Sequence, residues 1–193
     1  MVEIGKGEHQ ITSSWIAPNG YECQSMLGIT RSNITFLGKG KATTTILGGF
    51  GIRDLQNITF KNMTVTNTSE NGARGIWMIN AKVELFDVAL KGCGDASIRI
   101  QGSSSETTAV ATRCEFANSA YGAVVYGSLT SATFNKCLFH DNSHDGIQGW
   151  DRSTIHLHGE ATAIHSNGFN GICAVRVAKV VIHLPSHHKT SYN

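Results

Sequence analysis

The chain has 193 residues, of which 40% are hydrophobic and only 16% are charged, a balance that excludes a disordered chain. The formal net charge of +2 is too small to favour nucleic acid or an anionic membrane as a partner. Glycine is frequent and proline is rare, with 21 and 2 residues, which suits a chain that turns often. No apolar run approaches the roughly 18 residues of a membrane span.

Apolar residues recur along the chain with a period of about 24 residues, which identifies internal repeats. A first column, beside glycines, runs Ile29, Ile52, Ile76, Ile98, Val124, Ile147 and Ile172. A second column runs Ile34, Ile58, Val83, Ala109, Ala132, Ile155 and Val180. A third column runs Val65, Leu90, Phe116, Phe139 and Ile164.

Within each repeat, apolar and polar residues alternate, as in Ile34-Thr35-Phe36. Alternation with period 2 predicts short strands with one buried face. Three short strands cannot bury their faces alone, so each is expected to pair in parallel with its equivalent one repeat away. The predicted fold is all-β: a right-handed parallel β-helix, a single-stranded solenoid of about seven coils.

A single domain, 1–193, is predicted, with a first coil and cap-like segment at 1–28, regular coils at 29–184 and a tail at 185–193. Asn142 and Asn167 are one period apart and are expected to join coils through their side-chain amides. A facing direction is predicted for three cysteines: Cys114 and Cys137 point inward, and Cys173, which follows an inward residue, points outward. The odd total of five cysteines favours reduced thiols.

Several motifs resemble the right-handed parallel β-helix superfamily, which is pectate-lyase-like in the broad sense. They are Gly146-Ile147, Gly171-Ile172 and the Asn-Ile-Thr-Phe sequences at 33–36 and 57–60. Residues 2–9 and 183–188 are similar to uncharacterised β-helix proteins of algae, other protists and large DNA viruses. The resemblance implies the fold over nearly the whole chain. With no signal sequence at its start, the protein is expected to be cytoplasmic or virion-associated, in a reducing compartment.

Enzymes of this superfamily place their sites on the outer face of stacked strands. The resemblance implies that a lyase of this kind would use a basic residue to remove a proton beside a uronate carboxylate, with Ca²⁺ held by aspartates. Asp95, Tyr121 and His144 are spaced to form an outward row, with Arg99 on the same face. These four are the candidate catalytic residues. Ca²⁺ is expected only if the protein is a lyase; otherwise no cofactor is predicted.

Four other outward residues are candidates for ligand binding, with the tryptophans able to stack on a sugar ring: Trp77, Gln148, Trp150 and Arg152. Two pairs of histidines are one period apart, His140 with His165 and His158 with His183, so each pair is expected to stack. His158 and His183 come nearest to a metal site. Because two imidazoles without a carboxylate bind metal weakly, no metal is predicted.

The favoured interpretation is a non-catalytic scaffold or recognition module that binds protein or glycan through its lateral face, as a structural or surface-associated protein. The alternative is a carbohydrate-active enzyme, a polysaccharide lyase or epimerase acting on an acidic polysaccharide. The final coil, with Val180 and Ile182, is expected to leave strand edges and aliphatic side chains uncovered. A homo-oligomer is therefore expected.

Overall fold

The computed structural model describes residues 1–69 and 72–183, and within them the chain forms strands and turns and no helix. No helix in this part of the chain is long and apolar enough to span a membrane. The strands are β1 (Val2–Glu3), β2 (Gly7–Gln10), β3 (Trp15–Ile16), β4 (Glu22–Cys23), β5 (Met26–Ile29), β6 (Ile34–Leu37), β7 (Thr44–Leu47), β8 (Gly49–Arg53), β9 (Ile58–Thr66), β10 (Ile76–Ile79), β11 (Lys82–Lys91), β12 (Ala96–Gln101), β13 (Thr107–Thr112), β14 (Glu115–Ala117), β15 (Tyr121–Tyr126), β16 (Thr130–Asn135), β17 (Leu138–His140), β18 (Ile147–Trp150), β19 (Thr154–His158), β20 (Ala163–His165), β21 (Ile172–Ala174) and β22 (Lys179–His183).

These strands stack in parallel on three faces of a right-handed solenoid of about six coils, which confirms the predicted fold class. Face 1 has the order β5-β8-β10-β12-β15-β18-β21. Face 2 has the order β1-β6-β9-β11-β13-β16-β19-β22. Face 3 contains β2, β7, β14, β17 and β20, together with the second halves of β9 and β11, which bend from face 2 into face 3.

The second and third predicted columns are confirmed residue by residue. On face 2, Ile34 pairs with Ile58, and each later member pairs with the next as far as Val180. On face 3, the pairing runs in the same way from Val65 to Ile164. The inward side chains of successive coils therefore stack like on like and fill one continuous core.

The first predicted column is correct where Ile29 pairs with Ile52, Ile76 with Ile98 and Ile147 with Ile172, but it slips elsewhere because the turns between the strands of face 1 vary in length. Ile52 pairs with Met78, whereas Ile76 pairs with Phe50 and with Ile98. Both ladders are fully enclosed in the core. A spacing near 24 residues cannot distinguish two inward positions that are two residues apart when the turns between strands vary in length.

A slip of this kind also changes one residue of a second outward row, for which the spacing predicts Trp77, Arg99, Val125, Gln148 and Cys173. Val124, assigned to the core by its spacing, pairs with Arg99 and Gln148 on the outer side of face 1. Val125 takes the core position and is fully buried. The outward row after correction runs Trp77, Arg99, Val124, Gln148 and Cys173.

Asparagine side chains join the coils at the turns, as predicted for Asn142 and Asn167. The Nδ2 atom of Asn142 donates to Oδ1 of Asn167 at 2.9 Å and to the carbonyl of Phe116 at 3.1 Å. A second rung joins Asn57 to Asn33 at 2.9 Å. Both residues of this second rung have positive φ, which asparagine tolerates better than most residues.

Replacing an inward residue that touches the coils on both sides should destabilise the protein strongly. Ile98→Ala is expected to lower the free energy of unfolding by about 2–5 kcal/mol, because it leaves a cavity between Ile76 and Ala123. Val110, on the outer surface of β13, is the matched control, and Val110→Ala should cost about 0.5 kcal/mol or less. Chemical denaturation followed by circular dichroism measures both, and equal losses would contradict the assignment of the faces.

The five thiols should differ in reactivity according to their burial. Cys173 is half-exposed, whereas Cys23, Cys93, Cys114 and Cys137 are buried. Burial also raises the pKa of Cys93 to about 11, which depletes its reactive thiolate. Under native conditions an aromatic disulfide reagent should therefore modify one thiol per chain, and Cys173→Ser should abolish that reaction. Equally fast modification of Cys114 would show that the inward direction predicted for this residue is wrong.

Candidate functional site

The segment that precedes the regular coils lies against the outer side of face 1. Its strands β3 and β4 pair as a short antiparallel ribbon, with Trp15 opposite Cys23. The indole of Trp15 lies over Gly28 and Gly51, and a β-carbon at either glycine would overlap it. Two coils thus lack side chains where the ribbon approaches the solenoid most closely.

A cleft of about 360 Å³ opens beside Trp15, between the ribbon and face 1. This volume lies within the range of small-ligand sites. The residues that line this arginine–tryptophan cleft are Pro18, Asn19 and Tyr21 from the ribbon and Arg74, Trp77, Ile79, Arg99, Gln101 and Ser103 from the coils.

Trp77 lies at the centre of the cleft. The sequence suggested that its ring could stack on a sugar, but the ring is covered by other protein groups. Its side chain is only 6% exposed, because protein groups cover it. The Cζ atoms of Arg74 and Arg99 lie 4.3 and 5.8 Å from its ring centroid, and Trp15 meets it edge-on at 5.3 Å. Trp77 therefore holds two guanidinium groups by cation–π attraction.

The two arginines make the cleft positively charged. Arg74 donates through Nη2 to Oδ2 of Asp95 at 2.5 Å, so one of the two charges is balanced. Burial lowers the pKa of Arg99, and repulsion from Arg74 lowers it further, although an arginine stays protonated at any physiological pH. Arg74 and Arg99 together carry two positive charges, and Asp95 supplies one negative charge. The cleft therefore has one positive charge in excess.

Four buried nitrogens of the cleft have no hydrogen-bond partner within residues 1–69 and 72–183. They are Nε and Nη1 of Arg74, Nε1 of Trp77 and Nε of Arg99. Each can only donate, and leaving a buried donor unpaired costs about 1–3 kcal/mol. A group of unpaired donors beside an excess positive charge suits an anionic ligand that accepts hydrogen bonds.

The predicted catalytic residues lie on the same side of the solenoid, but they are not assembled around the cleft. The ring centroids of Tyr121 and His144 are 5.0 Å apart with the planes tilted by 31°, and those of His144 and Phe169 stack at 5.2 Å, so part of the predicted row is present. Asp95 is not in the row, because Ala96 is the residue that pairs with Tyr121, and its carboxylate binds Arg74. Of the four candidates, Arg99 is the one that lines the cleft.

The nearby carboxylates are already engaged in structural contacts. Asp145 is buried and accepts hydrogen bonds from Nε2 of Gln148 at 3.0 Å and from Nδ2 of Asn170 at 2.9 Å. Asp95 holds Arg74. Burial, together with the charges of Asp145 and Asp95, raises the pKa of Tyr121, so the phenol is protonated at neutral pH. This arrangement gives little support for a general base.

The other predicted ligand-binding residues, Gln148, Trp150 and Arg152, do not line the arginine–tryptophan cleft. Gln148 is bound to Asp145, and Trp150 lies beneath Arg176, whose Cζ is 5.4 Å from its ring centroid. Arg152 lines a second cleft of about 530 Å³, together with Arg176. Ser103 lines both clefts, which makes them neighbours along the same side of the solenoid.

Both predicted histidine pairs are stacked. The ring centroids of His140 and His165 are 5.3 Å apart, and those of His158 and His183 are 3.8 Å apart. A third histidine, His156, joins the second pair. Burial, followed by the neighbouring imidazoles, lowers the pKa of both His156 and His158.

Sequence analysis missed two residues of these sites. Arg74 stands in a turn before β10 and belongs to no periodic row, so its pairing with Asp95 had no signal in the spacing. His156 had a signal, because it stands two residues before His158 on one strand and must share its face. The glycines at 28 and 51 also indicated that another element covers face 1.

The comparisons with known proteins agree with this architecture. A family model described as "Right handed beta helix region" matches residues 22–174. The chain is similar to ORF18 of Geobacillus virus E2, with 11% identity and a TM-score of 0.45 over 90% of this chain and 52% of that one. It thus spans about half the length of the viral protein. No curated protein matches the chain.

A second solved structure with a similar backbone path is the A-module of the mannuronan C-5 epimerase AlgE4 of Azotobacter vinelandii. The identity is 13% and the TM-score is 0.37, over 94% of this chain and 72% of that one. Similarity at this level concerns the course of the chain and assigns no chemistry.

A methyl group at Gly51 should displace the ribbon and open the arginine–tryptophan cleft. In Gly51→Ala the new β-carbon overlaps the indole of Trp15, so Trp15 should separate from Trp77. The expected result is loss of the exciton-coupled circular dichroism of the two indoles, with cooperative unfolding retained. Gly5, which has open space at its β-carbon position, is the control, and Gly5→Ala should keep the signal. An unchanged signal in Gly51→Ala would contradict the placement of the ribbon.

Proposed function

The chain belongs to the right-handed β-helix family, and from that premise we propose that it is a non-catalytic recognition module that binds an acidic glycan in the arginine–tryptophan cleft. The observation that carries the proposal is the set of unpaired buried donors on Arg74, Trp77 and Arg99. A carboxylate is an acceptor of the right charge for them, because guanidinium groups bind carboxylates through charged, often paired hydrogen bonds.

The surroundings of these donors strengthen the attraction for an anion. Arg99 and Trp77 are enclosed by the ribbon and the coils, and charges interact more strongly where water is partly excluded. The direct ion pair of Asp95 is with Arg74. A carboxylate that contacts Arg99 would therefore meet a guanidinium group without its own counter-charge in the cleft.

The arrangement along the solenoid favours an extended ligand over a small isolated anion. Gln101 of the first cleft pairs directly with Tyr126 of the second, so the two clefts lie on neighbouring coils. The second cleft contains Arg152 and Arg176, and Asp151 in the same cleft lies 3.7 Å from Arg176, so one positive charge remains in excess there as well. Tyr21 is 44% exposed at the first cleft and offers an aromatic surface to a sugar. A chain of acidic sugars matches this repetition of charges.

Binding without catalysis is favoured by the state of the candidate catalytic groups. Asp95 and Asp145 are held by structural partners, and the exposed His144 has the rings of Tyr121 and Phe169 on either side of it. Proton abstraction beside a uronate carboxylate needs a base that can approach the sugar. The cleft supplies donors and positive charge, which orient an acidic sugar but do not remove its proton.

Calorimetric titration with acidic and neutral oligosaccharides of equal length tests the proposal. The wild-type protein should bind oligouronates and not the neutral series, with an affinity that falls as salt is added. Arg99→Met keeps the side-chain stem and removes the charge, and it should weaken binding by about 10- to 100-fold. Arg113, which pairs with Asp87 outside the cleft, provides the control, and Arg113→Met should bind as the wild type does.

Two results would overturn the proposal. Equal affinity for acidic and neutral oligosaccharides, or undiminished binding by Arg99→Met, would remove the role of the cleft. Unsaturated sugars or inverted stereochemistry at C5 in the incubated oligouronate, observed by nuclear magnetic resonance, would favour the enzymatic alternative.

A further inference from the structure

Three histidines meet on the outer surface of face 2, where β19 lies beside β22. His156 and His158 point to the same side of β19 because they are two residues apart. His183 of β22 pairs directly with His158. One potential ligand nitrogen from each of the three residues lies within 4.8 Å of the other two.

The separations of these nitrogens are close to those in a metal site. Nδ1 of His156 is 3.1 Å from Nε2 of His183. Two nitrogens bound to one tetrahedral Zn²⁺ are about 3.3 Å apart, as follows from Zn–N bonds of about 2.0–2.1 Å. These two nitrogens are hydrogen-bonded to each other at nearly the separation that they would have as ligands, and an ion that replaces the shared proton would need only a small reorientation of the rings.

The third ligand needs a side-chain rotation. The rings of His158 and His183 are parallel within 6°, with centroids 3.8 Å apart, so their nitrogen lone pairs point side by side. Rotation of one ring directs both lone pairs at a common point. His183 is exposed and His158 is only half-buried, so the rotation does not disturb the core.

We propose that His156, His158 and His183 bind one divalent transition-metal ion, with Zn²⁺ as the best match. Imidazole nitrogen is a preferred ligand of Zn²⁺, and three histidines leave the fourth tetrahedral position to water. The ion joins β19 to β22 and so fastens the last described strand to the preceding coil. No metal was predicted from the sequence because the histidines were considered in two pairs, without His156 as a third ligand.

The other stacked histidine pair supplies an internal comparison. His140 and His165 are also one coil apart, but His140 is hydrogen-bonded to Asp141 at 2.7 Å and lies 3.4 Å from Glu115. No third imidazole joins this pair within residues 1–69 and 72–183. His165→Ala is therefore a matched control that removes a stacked histidine outside the proposed site.

The test is a calorimetric titration of the full chain with ZnCl₂ after treatment with a chelator. One Zn²⁺ per chain is expected. His156→Ala, His158→Ala and His183→Ala should each weaken binding at least about tenfold, since even loss of a residue that only supports a ligand costs that much. His165→Ala should bind as the wild type does. A second readout is the unfolding temperature, which Zn²⁺ should raise in the wild type and in His165→Ala but not in His158→Ala.

His187 and His188 lie outside the described residues and need a separate control. The double variant His187→Ala/His188→Ala should still bind one Zn²⁺. The proposal is overturned if this double variant loses binding while His158→Ala retains it. It is equally overturned if the wild type binds no Zn²⁺, or if His165→Ala loses binding as strongly as His158→Ala does.

Discussion

The in-register parallel pairing of each coil with the next is the constraint on which the rest of the structure depends. It places each residue directly above its equivalent at a spacing of about 4.8 Å, so an inward position must be apolar in coil after coil. The same stacking operates outside. Tyr121, His144 and Phe169 form a continuous run of rings, and His158 meets His183, because the backbone aligns them. The surface of this protein therefore consists of rows of residues that run along the solenoid axis. Its candidate sites lie where the type of side chain in a row changes from one coil to the next.

The arginine–tryptophan cleft shows how such a change arises. Gly28 and Gly51 leave one row without side chains, and the indole of Trp15 occupies the space. Trp15 supports Trp77, and Trp77 holds the guanidinium groups of Arg74 and Arg99. Donors that are buried and unpaired destabilise a fold, and departures of this kind are typical of functional positions. The glycines, the ribbon and the charge thus form one arrangement, which presents donors in a partly enclosed space.

Most of the fold could be predicted from the sequence, because strand alternation and a repeat period are local properties of the chain. Ile155 and Phe139 were placed correctly, since each belongs to a face on which the chosen column has one consistent partner per coil. Val124 was misplaced by one residue because turns of variable length separate the strands of face 1, so that Ala123 and not Val124 pairs with Ile98 and Ile147. The site was harder to predict, since Arg74 lies in a turn and reaches Asp95 only through the folded geometry. Trp77 was found, but its burial beneath two arginines depends on a ribbon that has no repeat to reveal it.

The most direct test of this account is a crystal structure of the protein with an acidic trisaccharide bound. The account predicts a sugar carboxylate in the arginine–tryptophan cleft, with an oxygen within hydrogen-bond distance of Nε of Arg99 and a second acceptor at Nε1 of Trp77. A structure in which these two nitrogens donate to protein groups, with the trisaccharide bound elsewhere on the solenoid, would contradict it.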